Sequence, residues 1–133
     1  MKVLTGKAMR EADRLTIEDY GMPGTVLMEN AGQRVYEFIA AVSPAPAKTV
    51  IIAGPGNNGG DGLVLARILA GAGYPASLWS TVKPGSYRGD AALNEKYLIK
   101  QAFPISRLLG EAELALFREE LKNADLIVAS RSK

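Results

Sequence analysis

Residues 53–62 read Ala-Gly-Pro-Gly-Asn-Asn-Gly-Gly-Asp-Gly and contain five glycines, two amides and one acid. Before them, Lys48–Ala53 is a β-branched run that predicts a buried strand. After them, the apolar positions from Leu63 to Ala70 predict a helix that ends at Gly71. A glycine-rich turn between a strand and a helix brings backbone N–H groups to the positive end of the helix dipole, where an anion binds without a basic side chain. Residues 53–62, hereafter the glycine loop, therefore predict a site for a nucleotide-like ligand.

Length and composition limit the number of domains, the kinds of partner and the kinds of catalytic or metal site that this chain can have. A chain of 133 residues with 47% hydrophobic content predicts a single domain spanning 1–133. The formal charge of +2 is spread along the chain without a block of Lys or Arg, so no nucleic-acid partner is predicted. The absence of Cys and His excludes disulfides, thiol nucleophiles, imidazole bases and metal sites built from those residues. No segment approaches the roughly 20 apolar residues of a membrane span, and we expect a cytoplasmic protein without a membrane partner.

Hydrophobic periodicity predicts alternating helices and strands. Two helices come first, from Thr5 to about Tyr20 and from Thr25 to Val42. The strand, glycine loop and helix described above are followed by a strand, two helices and a third strand, at 76–82, 87–101, 111–122 and 125–128. The order ααβαβααβ predicts a three-layer Rossmann-like α/β fold, in which helices flank a parallel sheet. In such sheets the ligand crevice lies at the carboxyl ends of the strands, where the glycine loop is expected.

The glycine loop fits neither of two common nucleotide-binding patterns. Gly54–Gly59 matches the dinucleotide fingerprint G-x-G-x-x-G, but that pattern needs an acid about 20 residues further on to hold a ribose. This sequence has Ser80 and Thr81 there. The Gly-Lys-Ser/Thr ending of a phosphate-binding Walker loop is also missing, because residues 59–62 read Gly-Gly-Asp-Gly. Neither an ATPase nor an ordinary dehydrogenase is predicted.

The two amides and the acid of the loop allow two interpretations. Asn57, Asn58 and Asp61 supply oxygens for a hard cation or hydrogen-bond partners for ribose and phosphate. Alternatively, the two asparagines only supply turn conformations and Asp61 caps the following helix. The residue types by themselves leave both interpretations open.

Three stretches resemble a known family. The sequence AGPGNNGGDGLVLAR at 53–67, with MREADRLTIEDYGMP at 9–23 and LMENAG at 27–32, resembles the YjeF N-terminal domain family, the NAD(P)H-hydrate epimerases. The resemblance runs from Met1 to about Val128. It implies an isomerase that interconverts the R and S forms of hydrated NADH and NADPH (NADHX and NADPHX), a repair reaction, and it implies a homodimer.

The resemblance also implies roles for the glycine loop. In the family this segment binds the hydrated nicotinamide nucleotide, which carries over to Asn57, Asn58, Gly59, Gly60 and Asp61. Asn58 is by resemblance also a ligand of a potassium ion, which would offset part of the phosphate charge. No catalytic residue is assigned.

Three ionisable residues, Asp61, Lys83 and Glu29, are candidates that receive no catalytic role. Asp61 and Lys83 are expected at strand carboxyl ends, facing the crevice. Asp61 is interpreted as a ligand-binding or capping residue, Lys83 as a solvated turn residue and Glu29, in the second helix, as a solvated helix charge. The chain therefore predicts a binding site more clearly than a catalytic acid or base.

The chain departs from the family at its last residues. Where the family continues as Val-Asp-Ala and a Gly-Thr-Gly loop, this sequence reads Val128-Ala129-Ser130-Arg131-Ser132-Lys133. The sequence therefore predicts a domain truncated after its third strand, with that strand as an unpaired edge. Two alternatives to an active epimerase follow, an inactive nucleotide-binding or interaction module and the N-terminal part of a bifunctional epimerase and dehydratase.

Overall fold

The computed structural model describes residues 2–4 and 24–130, and for residues 2–4, 25, 57, 58 and 130 it describes only the backbone. The helix predicted from Thr5 to Tyr20 lies outside these residues. The described elements, in chain order, are β1 (Lys2–Leu4), α1 (Gly24–Val42), β2 (Thr49–Ala53), α2 (Gly56–Gly71), β3 (Ala76–Ser80), α3 (Gly89–Lys100), β4 (Ile105–Arg107), a 3-10 turn (Glu111–Glu113), α4 (Leu114–Lys122) and β5 (Leu126–Ser130).

The described strands form one parallel sheet in the spatial order β1-β5-β2-β3-β4. After β2 the chain adds β3 and then β4 on one side, and it returns to the other side of β2 with β5. The strand order therefore reverses between β2 and β5. In open α/β sheets this reversal marks the crevice in which ligands bind.

The register aligns the carboxyl ends of the strands. Ala53 at the end of β2 lies opposite Ser80 of β3 and Ser130 of β5. Ser80 in turn lies opposite Arg107 at the end of β4. The residues that follow these strands therefore meet at one edge of the sheet, hereafter the carboxyl edge.

Alternating side chains of the strands build two cores, one on each face of the sheet. On the first face, Ile51 and Leu78 are buried beneath α2. Both α1 and α3 pack against α2. On the second face, Val50 and Trp79 pack against Phe117 of α4. Helices on both faces with the sheet between them make the three-layer arrangement that the sequence predicts.

Two strands of the structure were not predicted from the sequence. β1 and β4 are three residues each, too short to display an alternating pattern. The prediction of an unpaired final strand is wrong, because β1 pairs with β5 on the side away from β2, placing Lys2 opposite Leu126 and Leu4 opposite Val128. A pairing between the first and last described strands joins residues too distant in sequence for local patterns to reveal.

Candidate functional site

The glycine loop is shorter than its sequence predicts, because α2 begins at Gly56 rather than near Leu63. Gly56 has a φ of 81°, in the left-handed region that favours glycine. Pro55 before it is extended and supplies no side-chain cap. The N-cap residue therefore gives no capping hydrogen bond to the first-turn N–H groups, which lie at the carboxyl edge, where the helix dipole favours an anion.

The early helix start decides one alternative for Asp61. A capping residue precedes the first turn, whereas Asp61 is the sixth residue of α2 and fully buried, so the interpretation as a helix cap is wrong. The turn interpretation of Asn57 and Asn58 is wrong too, since both backbones are helical. Their side chains are outside the described part, so their contacts to a ligand stay a prediction. Tertiary packing overrides the low helix propensity of this glycine-rich segment.

Gly59 makes the closest backbone approach of the site. A Cβ atom at this position would overlap the carbonyl oxygen of Gly54 and lie 3.1 Å from Cε1 of Tyr87. Only glycine therefore allows the start of α2 to lie directly against the end of β2. This packing buries Gly54 and Gly59, whereas Pro55 and Gly56 at the turn are exposed, so the backbone that a ligand phosphate can reach is that of the turn itself.

Gly60 connects the loop to α1. A Cβ atom at Gly60 would lie 2.5 Å from Cε and 2.6 Å from Sδ of Met28, and the amide Nδ2 of Asn94 lies 3.2 Å from the same sulfur. One turn further along both helices, a Cβ at Gly32 would lie 2.5 Å from Cγ1 of Val64. The LMENAG stretch at 27–32 therefore supports the start of α2 from behind. No pattern in the sequence pointed to this role of Met28.

Tyr87 fills the space between the glycine loop and the end of β3. Its hydroxyl lies 2.8 Å from the Ser80 hydroxyl and 3.4 Å from the carbonyl oxygen of Ala53. Tyr87 is 6% exposed and Ser80 is fully buried. Burial raises the pKa of the Tyr87 phenol, and the hydrogen bond with Ser80 acts in the opposite direction. The phenol is therefore protonated at neutral pH.

A buried ion pair fastens the segment between β3 and Tyr87. Arg107 Nη2 donates to Glu95 Oε2 over 2.8 Å, and Arg107 Nη1 donates to the carbonyl oxygen of Val82 over 2.9 Å. Glu95 also accepts a hydrogen bond of 3.2 Å from the backbone N–H of Gly85. The side chains of Glu95 and Arg107 are 5% and 15% exposed. No pattern in the sequence pointed to Tyr87, Glu95 or Arg107, because each works through partners distant along the chain.

The other ionisable candidates are more exposed than Asp61. Lys83 is exposed in the segment after β3, as expected for a solvated turn residue, whereas Asp61 is fully buried. Glu29 forms an ion pair with Arg67 of α2, whose guanidinium lies 5.7 Å from the ring centroid of Tyr97. Glu29 therefore has a structural partner in α2.

The donor set for a potassium ion fits only in part. Within the described residues no cluster of three or more acidic, His or Cys side chains occurs. Ala129, opposite Ile52 in the register, offers no side-chain oxygen where the family resemblance expects an acid. The oxygen donors that the glycine loop itself contributes are backbone carbonyl groups, the amides of Asn57 and Asn58 and the carboxylate of Asp61.

Comparisons with known proteins agree on a single family. The model of the family described as "YjeF-related protein N-terminus" matches residues 24–129. A bifunctional NAD(P)H-hydrate repair enzyme, Nnr, from Moorella thermoacetica is 40% identical over 131 residues, covering 96% of this chain and 25% of that protein. An NAD(P)H-hydrate epimerase from Pirellula staleyi is 44% identical over 93 residues, covering 70% of this chain and 40% of that protein.

A solved structure extends the likeness to three dimensions. The crystal structure of the yeast protein YNL200c superposes with a TM-score of 0.69 at 28% identity, covering 99% of this chain and 57% of that one. The chain thus spans less than half the length of the two curated relatives and a little more than half of the yeast protein. None of the helices in the described part has the length and hydropathy that a membrane crossing requires.

Proposed function

Because this chain belongs to the family of YjeF-related protein N-termini, we propose that it supplies the nucleotide-binding part of an NAD(P)H-hydrate epimerase. The proposed reaction interconverts the R and S forms of hydrated NADH and NADPH. The observation that carries the proposal is the turn into α2: the close approach of Gly59 to Gly54 sets the start of the helix at the carboxyl edge, and Pro55 and Gly56 of this turn are exposed, where a helix N-terminus favours a phosphate. Relatives named for NAD(P)H-hydrate epimerisation support the choice of substrate.

The chemistry of the substrate defines what such a site has to do. The hydrated ring carbon bears both the ring nitrogen and a hydroxyl group. When the C–O bond breaks, the nitrogen lone pair forms a C=N bond and the hydroxyl leaves as water with a proton from a general acid. Water then adds to the opposite face and returns the proton. The site therefore needs a proton donor and a group that positions water, and we assign neither to a residue of this chain.

The loop residues receive binding roles in this proposal. Asn57, Asn58, Gly59, Gly60 and Asp61 bind the nucleotide, Asp61 from its buried position in α2. Asn58 also contributes an amide oxygen to a potassium ion, whose positive charge would offset part of the phosphate charge. We further propose a homodimer that acts in the cytoplasm.

The direct test of function is epimerisation by the purified chain. One epimer of NADHX is incubated with the protein, and the other epimer is followed by chromatography against the rate in buffer. The expected result is an acceleration that Asn58→Ala lowers by about tenfold or more, equal to about 1.4 kcal/mol of lost stabilisation. The matched control is Asn123→Ala, because Asn123 is exposed after α4, next to the amino end of β5, and should leave the rate unchanged. Equal rates with and without protein would refute the activity.

The potassium proposal has its own readout. Titration of NADP⁺ by calorimetry, in potassium buffer and in a buffer of a large organic cation, should give weaker binding without potassium for the wild-type chain. Asn58→Ala should bind equally in both buffers, because its oxygen ligand is gone. Wild-type binding that does not depend on potassium would contradict the role given to Asn58.

One observation favours a second candidate function, nucleotide binding without catalysis. Asp61 and Glu95 are the buried carboxylates of the described part, and Glu95 is engaged by Arg107. Ala129 adds no acid at the end of β5. If NADP⁺ binds but NADHX epimers do not interconvert faster than in buffer, the chain is a binding module. The likeness to the bifunctional repair enzyme of Moorella thermoacetica supports the remaining alternative, in which this chain is the N-terminal part of a larger repair enzyme.

A further inference from the structure

The end of β3 is where the structure differs from the usual dinucleotide site. In sheets that bind dinucleotides through a G-x-G-x-x-G loop, the strand after the loop ends in an acid that holds the ribose hydroxyls. Here that strand is β3 and its last residue is Ser80. A serine hydroxyl could still meet a ribose, provided that the ligand reached it.

Tyr87 occupies the space through which a ribose would reach Ser80. The two hydroxyls are 2.8 Å apart, and Ser80 has no exposed surface. The Ser80 hydroxyl also accepts a hydrogen bond of 3.1 Å from the backbone N–H of Val82. On the opposite side, the edge of the Tyr87 ring faces Gly59, where a Cβ would lie 3.1 Å from Cε1. The ring therefore spans the gap from the glycine loop to β3.

Several contacts hold the segment before Tyr87 in place. Thr81 donates its backbone N–H to the carbonyl oxygen of Ala53 over 3.0 Å, which ties the segment to the end of β2. The Glu95–Arg107 pair binds the same segment at Val82 and at Gly85. Since Glu95 is buried and the Arg107 side chain is only 15% exposed, Tyr87 is fixed by the fold rather than by an adjustable surface contact.

We propose that Tyr87 closes the ribose position at the end of β3, so that a nucleotide on the glycine loop extends toward β5 instead. The proposal rests on the proposed function only in taking the glycine loop as a nucleotide site. The crevice between β2 and β5, where the strand order reverses, is the remaining direction along the carboxyl edge. A ligand bound in this way does not present its ribose hydroxyls to the strand that reads them in dinucleotide-binding enzymes. Tyr87 is thus a specificity-determining residue.

The first experiment opens the closed position. Tyr87→Ala removes the ring and exposes Ser80, and adenosine, which has a ribose but no phosphate, should then bind at least about tenfold tighter than to the wild-type chain, as measured by saturation-transfer NMR. Tyr87→Phe is the matched control, because the ring remains and only the hydroxyl is lost. It should bind adenosine as weakly as the wild type. Adenosine binding of equal strength to all three proteins would overturn the proposal.

The second experiment tests Ser80 with the phosphate-bearing ligand. Ser80→Ala should change the affinity for NADP⁺ by less than about threefold, because no ribose lies against the hydroxyl. A loss of about tenfold or more, in a variant whose circular dichroism matches the wild type, would overturn the proposal. If Tyr87→Ala does not fold, the comparison of NADP⁺ affinity between Ser80→Ala and the wild type tests the proposal by itself. Failure of the proposed function is distinct: the wild-type chain would then bind no NADP⁺ and epimerise no NADHX, while the adenosine comparison would still decide the role of Tyr87.

Discussion

At the scale of single residues, the glycines of α2 look alike in the sequence, but the structure gives a different physical reason for glycine at each position. Gly59 is required because a side chain would meet the backbone of Gly54, whereas a Cβ at Gly60 would meet the flexible end of the Met28 side chain, which would have to move. At Gly71, the last residue of α2, a Cβ would have no neighbour within 4 Å. The first two positions shape the candidate site, whereas the third only costs helix stability through its conformational freedom.

Alanine substitution should separate these two kinds of glycine. Gly59→Ala forces a methyl group into a backbone carbonyl, and we expect the free energy of unfolding to fall by about 2 kcal/mol or more. Gly71→Ala, in the same helix, should raise it by about 0.5 kcal/mol because alanine restricts the unfolded chain. Urea denaturation followed by circular dichroism measures both changes. If Gly59→Ala is as stable as the wild type, the close approach of α2 to β2 is not as described.

At the scale of elements, two ion pairs join neighbouring segments in different surroundings. Glu95 of α3 and Arg107 of β4 are almost fully buried, and together they bind two backbone groups of the segment after β3. Glu29 of α1 and Arg67 of α2 have side chains that are 47% and 33% exposed. Water screens the second pair, so it contributes much less to stability than the first.

Replacing the arginine of each pair should show this difference in their contributions to stability. Arg107→Met leaves the carboxylate of Glu95 buried without its cation, and we expect a loss of about 3–5 kcal/mol in the free energy of unfolding. Arg67→Met, an identical substitution at the more exposed pair, should cost about 1 kcal/mol or less, including its contact with the ring of Tyr97. The measurement is again urea denaturation. Adding Glu95→Gln to Arg107→Met should recover part of the loss, and an equal cost at both sites would contradict the assigned burial.

At the scale of the whole molecule, one sheet joins two cores that face opposite helices. The single tryptophan, Trp79, is 2% exposed and lies in the core beneath α4. Its indole N–H donates to Glu120 Oε2 of that helix over 2.5 Å, and its ring meets Phe117 edge to face at 5.1 Å. Since α1, α2 and α3 lie on the other face, Trp79 fluorescence reports on one layer and total helix content mainly on the other.

The shared sheet should make both layers unfold together. In urea, the red shift of Trp79 emission and the loss of helical circular dichroism should have the same midpoint, as for a two-state domain. A fluorescence transition at lower urea than the circular dichroism transition would mean that α4 separates from the sheet first. Phe117→Leu, which weakens only the α4 core, should lower both midpoints equally if the molecule is one cooperative unit.

Local patterns predicted much of this architecture. The β-branched run at 48–53 and the apolar stripe of the second helix gave elements within a residue or two of the observed β2 and α1. The strands β1 and β4 were missed because three residues show no period, and the final strand was assigned to an edge because its partner lies at the other end of the chain. The same holds for the candidate site. Gly59 and Gly60 could be predicted because they belong to a recognisable motif, whereas Tyr87 and Arg107 could not because they belong to none.

The sequence by itself determined the parallel α/β class, the glycine loop at the carboxyl edge and the resemblance to a family, because these depend on residues close together in the chain. Only the tertiary structure decided that Asp61 lies inside a helix and that β5 is an interior strand. It also brought Tyr87 onto Ser80 and the Glu95–Arg107 pair onto the segment between them. The physical reason is that burial and close packing depend on which distant segments of the chain come into contact, and these contacts cannot be inferred from residues that are neighbours in the sequence.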